Sequence, residues 1–108
     1  MNEQLHSEMP SLDDLKDLET QILEAEKKFW DACYTVPEGI HFLSLNNDWL
    51  IDISNARRAR SWKTALSLMN LIQRKLHISK AGLVPGIKKT FEQFHDLIHR
   101  RYNIATSV

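Results

Sequence analysis

The chain has 108 residues, 43% hydrophobic and 26% charged, which suits one modest core and excludes a wholly disordered or low-complexity chain. A single cysteine, Cys33, excludes an intramolecular disulfide and a cysteine-built zinc site within one chain. The formal net charge is zero, yet residues 1–56 carry twelve acids against three bases (−9), and residues 57–108 carry eleven bases against two acids (+9).

Such polarity points to nucleic acid or a charged protein partner, or else to one half of the chain neutralising the other. No run reaches the ~18 apolar residues that span a bilayer. The first 14 residues hold no apolar segment of the signal-peptide kind, and there is no Asn-x-Ser/Thr sequon. A cytoplasmic protein with no membrane partner is expected.

Residues 1–10 read as a disordered tail, 11–102 as one helix-rich domain and 103–108 as a frayed end. Ser11 is a good N-cap, with Asp13 and Asp14 in the turn that favours anions. Leu15, Leu18, Ile22, Ala25, Phe29 and Ala32 then recur at spacings of three and four, an amphipathic helix of about 22 residues. The stripe is short for a coiled coil. A parallel homodimer would also set Asp14 against Glu19, so packing on the protein's own core or antiparallel pairing is favoured.

Pro37-Glu38-Gly39 closes that element. In Ile40 to Ser54, Asn46-Asn47 sits between two β-rich runs. A two-residue turn there would pair Ile40 with Ile53, Phe42 with Ile51 and Ser44 with Trp49, giving a hairpin with one apolar face. Phe42, Leu45, Trp49 and Ile53 also sit at helical spacing, the alternative. Asn55 to Arg60 reads as an exposed basic loop or short strand. A helix follows from Ser61 or Thr64 to Leu76, with Trp62, Ala65, Met69, Ile72 and Leu76 on one face. After a connector over 77–84, Pro85 suits the first turn of a last helix, whose apolar face is Ile87, Phe91, Phe94, Ile98 and Tyr102. The expected fold class is α+β, a long N-terminal helix, a β-hairpin and two further helices, with an all-α bundle as the alternative.

Arg57, Arg58, Arg60 and Lys63 place four cations within seven residues beside Trp62. Arg74 continues a polar stripe along the helix that follows. Such residues contact phosphates, and Trp62 or Trp49 could stack on a base. His95 and His99 lie one turn apart, as in zincin proteases, but Asp96 points away from them and no third ligand is evident. Cys33 falls at a helix C-terminus, where the dipole opposes thiolate formation. Three scattered glycines make no phosphate loop, and the acids lie along a solvated helix face. No catalytic site, metal, cofactor or small-molecule substrate is therefore expected.

The acidic helix could dock on a basic partner or self-associate, with Glu19 and Glu26 as charges and Trp30, off the apolar stripe, as an anchor. Two functions follow. The first is a non-enzymatic nucleic-acid-associated accessory protein, or a small subunit of a nucleoprotein complex. The second is a protein-binding adaptor or inhibitor acting through the acidic helix. Both need the opposed charges to stay open to solvent.

Overall fold

In a computed structural model, which describes residues 10–107, the chain forms four α-helices and one short 3-10 turn, with no strand among the described residues. The helices are α1 (Leu12–Tyr34), α2 (Pro37–Arg58), α3 (Trp62–His77) and α4 (Pro85–Thr106), and the 3-10 turn is Lys80–Leu83. The tail reading for 1–10 falls, but for Pro10, outside the described residues.

At the start of α1, Ser11 Oγ accepts the Asp14 N–H at 3.1 Å and an Asp14 carboxylate oxygen accepts the Ser11 N–H at 3.3 Å. This reciprocal cap satisfies two amides that the first turn would otherwise leave open. Leu18, Ile22, Ala25, Phe29 and Cys33 are buried along the helix, so the apolar stripe is core and not a dimer seam.

The hairpin expected over 40–54 is absent, and the fold class is all-α, not α+β. Asn46-Asn47 lies inside α2. Asn46 leaves helical geometry (φ −120°, ψ 16°) and kinks the helix, while its side-chain amide donates to the Phe42 carbonyl at 2.9 Å. Helix wins because Phe42, Leu43, Asn46, Leu50, Ile53 and Ala56 form one buried face at helical spacing. A hairpin would have buried Ile40 and Ile51 with their partners, yet these are 50% and 43% exposed. The β-branched residues expressed a preference that tertiary packing overrode. The expected basic loop over 55–60 is corrected with it, because Asn55 to Arg58 are the last turn of α2.

That helix ends in a Schellman cap. The Ser61 N–H reaches the Ala56 carbonyl at 2.9 Å, and the Arg60 N–H reaches the Arg57 carbonyl at 3.1 Å. Arg60 occupies the left-handed position, φ 56°, where glycine is the usual residue. An L side chain there costs roughly 1–2 kcal/mol. Arg60→Gly is therefore expected to unfold in urea at a stability about 1 kcal/mol above Arg60→Ala, since only the glycine variant sheds the strain.

Ser61 then sits at the N-cap of α3, and Pro85 opens α4. The last helix runs to Thr106, past the end read from Tyr102. The loops over 35–36 and 59–61 are too short for anything but antiparallel neighbours. Helix α1 packs on α4 and α2, α2 on α3, and α3 on α4, closing a ring. At its centre Phe29 meets Phe91 edge-on at 5.4 Å between ring centroids and Phe94 at 6.5 Å.

Candidate functional site

The two halves of opposite charge meet where α1 crosses the end of α2. Glu26, 8% exposed, takes the Arg57 Nε at 2.6 Å and its Nη2 at 3.4 Å, and the Ser54 hydroxyl donates to the same carboxylate at 2.7 Å. Two turns earlier on α1, Glu19 bridges two cations, Arg60 Nε at 3.0 Å and Arg101 Nε at 3.3 Å. The Arg101 guanidinium also lies over the Trp62 ring, 5.1 Å from its centroid.

The residues singled out from the sequence thus divide. Arg57 and Arg60 are brought together with Glu26 and Glu19, so two candidate phosphate contacts are held by two candidate partner contacts. Trp62 is 5% exposed, with one ring face beneath Arg101, and is not placed to stack on a base. Arg58, Lys63 and Arg74 remain exposed, Arg58 donating to the Asn55 side chain at 2.6 Å. Trp30 is half-buried and stacks on Tyr34, with 6.2 Å between centroids. Trp49 is 41% exposed on α2.

A concavity lies at the other end of α2. A groove of about 670 Å³ is bordered by Phe42, Leu45 and Asn46 of α2, Lys75 of α3, and Ile78 and Ala81 of the connector. Its lips are apolar and wet, with Leu45 69% and Ile78 85% exposed. Trp49 lies one helical turn beyond Leu45. Glu38, His41 and Lys80 add charge or polarity to the border.

No protein family, curated protein or solved structure matches this chain.

The His95 ring does not reach toward a metal. Its Nε2 pairs with the Asn70 side-chain oxygen at 2.7 Å, and burial lowers its pKa from the ordinary histidine value against the opposing pull of Asp96. Among the described residues no three metal-ligating groups gather. Burial pushes the Cys33 thiol up to about 12, so it stays protonated and inert at neutral pH. The groove went unseen in the sequence because its residues come from α2, α3 and the connector. The one available signal was the pair Leu45 and Trp49, flanking the buried face of a helix that reads equally well as a strand.

Proposed function

We propose that this protein is a cytoplasmic, non-enzymatic binding module of the adaptor or inhibitor type that takes an amphipathic helix of another protein into the α2–α3 groove. The observation that carries the reading is the pairing of a concave apolar floor with two large, wet side chains, Leu45 and Ile78, at its lips. Exposed apolar surface of this kind marks interaction sites more often than it occurs by chance. Grooves between helices accept a partner helix through anchors spaced three and four residues apart. Lys75 and Lys80 outnumber Glu38 around the opening, which favours a ligand with acids flanking its apolar stripe.

This relocates the protein-binding surface away from the acidic helix, because Glu19 and Glu26 spend their charge on arginines of the same chain. The buried Arg57 is engaged by Glu26, which speaks against its use on nucleic acid, whereas Arg60 pairs with Glu19 only through Nε and stays exposed. A library of amphipathic helical peptides should yield binders to the wild type that lose about tenfold or more in affinity for Leu45→Glu/Ile78→Glu, a loss of about 1.4 kcal/mol or greater. Both side chains are exposed, so the fold should be unchanged by circular dichroism. The nucleic-acid reading would replace this one if a labelled oligonucleotide bound with steep salt dependence and Arg58→Ala/Lys63→Ala/Arg74→Ala abolished that binding.

A further inference from the structure

The arginines at the α2–α3 corner are not fully spent on the two glutamates. Glu19, Arg57, Arg58, Arg60 and Trp62 enclose a second, smaller cleft of about 230 Å³. That is room for several waters, and so for one tetrahedral oxyanion. Four guanidiniums, of Arg57, Arg58, Arg60 and Arg101, meet two carboxylates, of Glu19 and Glu26, leaving a local charge of +2 among the described residues.

The geometry leaves donors over as well as charge. Arg60 and Arg101 each reach Glu19 through Nε, so the terminal nitrogens of both guanidiniums carry no bond to it. Arg58 uses one nitrogen on Asn55 and is otherwise exposed. Trp62 lines the cleft, and its indole Nε1, itself shut off from solvent, has no hydrogen-bond partner among the described residues. Trp62 is also the first residue of α3, whose N-cap Ser61 makes no side-chain cap and whose first turn holds no acid. The positive end of a four-turn helix therefore lies beside the cleft without the anion that usually accompanies it.

We propose that this cleft is a binding site for a small tetrahedral oxyanion of the phosphate class. Arg58 and the free terminal nitrogens of Arg60 grip its oxygens, with the first residue of α3, Trp62, in the wall beside it. The guanidinium fork suits such an anion because it presents two parallel N–H groups to two oxygens. The site lies apart from the α2–α3 groove and stands or falls independently of the function proposed for that groove.

The test is a titration of the whole, isotopically labelled protein with inorganic phosphate at constant ionic strength, sodium chloride replacing phosphate in the reference. The reporter is the Trp62 indole N–H resonance, assigned with Trp62→Phe. A saturable displacement with phosphate and none with chloride is expected. Arg58→Ala/Arg60→Gly should weaken it about tenfold or more, one charge-assisted contact being worth at least that factor. That variant spares the fold, because Glu19 keeps Arg101 and the glycine suits the left-handed turn. Leu45→Glu/Ile78→Glu should bind phosphate as the wild type does. A Trp62 resonance unmoved by phosphate, a shift matched by chloride, or a shift undiminished in the double variant would each overturn the site. An oligonucleotide that shifts the same resonance more tightly than phosphate would overturn it in favour of a polyanion.

Discussion

Glu26→Ala is expected to lower the stability of the bundle by about 3 kcal/mol, near the lower end of the range for breaking a buried ion pair. The lower end applies because the pair is not wholly dry, its side chains being 10% and 14% exposed. The loss is mainly the cost of stranding Arg57. Removing the carboxylate leaves a guanidinium and the Ser54 hydroxyl without their shared acceptor. In a domain of this size the midpoint of thermal unfolding should fall by roughly 12–24 °C, taking about 4–8 °C per kcal/mol. Glu26→Leu/Arg57→Met removes both charges and refills the volume, and should recover most of the loss. If Glu26→Ala costs under about 1 kcal/mol, the pair behaves as an exposed one and water reaches it freely.

The same pair governs how the basic cluster can be tested. Replacing Arg57 strands Glu26 in turn, so an Arg57→Ala variant that failed to bind nucleic acid would report unfolding. Arg58, Lys63 and Arg74 are exposed and can be changed without that confusion. The opposed charges of the two halves were plain in the sequence, but whether they faced solvent or one another was not. That depends on α1 crossing the end of α2 so that Glu19 and Glu26 arrive beside Arg60 and Arg57, residues 41 and 31 positions away.

Where sequence and structure agree, local chemistry and the hydrophobic period point the same way. Ser11 and Asp14 mark the start of α1, Pro85 marks the start of α4, and most of each apolar stripe is buried, with Leu15, Ala32 and Tyr102 only partly covered and Glu26 and Cys33 added to the buried face of α1. Helix α3 begins after Ser61, as the position of Arg58 implied, because a helix extended backwards would have put that arginine on the buried face. Helix α2 was misread because its local signals conflict. Pro37 at the first turn speaks for a helix, whereas Asn46-Asn47 between β-branched and aromatic residues speaks for a turn. The conflict leaves a trace in the fold, a helix that is kinked at Asn46. The groove borders that kink, with Asn46 itself in its wall.

Gly39→Ala is the second substitution with a large expected effect, and two rules of opposite sign make it informative. By helix propensity alone, alanine in α2 should stabilise the protein by up to about 1 kcal/mol. The packing forbids this. A Cβ on Gly39 would collide with the Cys33 carbonyl oxygen and lie 2.5 Å from its Cα, main-chain atoms that no rotamer change can move aside. The end of α1 and the start of α2 would have to separate, and overpacking of this kind costs about 1–3 kcal/mol, or more where backbone must shift. A net loss of about 2 kcal/mol is expected in urea unfolding, the upper overpacking cost less what alanine returns in helix propensity. Gly86→Ala serves as the control, since nothing lies within 4 Å of its added Cβ. That variant should be unchanged or up to about 1 kcal/mol more stable. The displacement in Gly39→Ala also carries Pro37, Glu38 and His41, which border the groove, away from Lys75 and Ile78 opposite. Helical peptides selected on the wild type should therefore bind this variant more weakly even where it remains folded. Gly39→Ala stability equal to or above the wild type would mean that the α1–α2 junction is looser than this close approach requires, and that the groove's walls are not held by it.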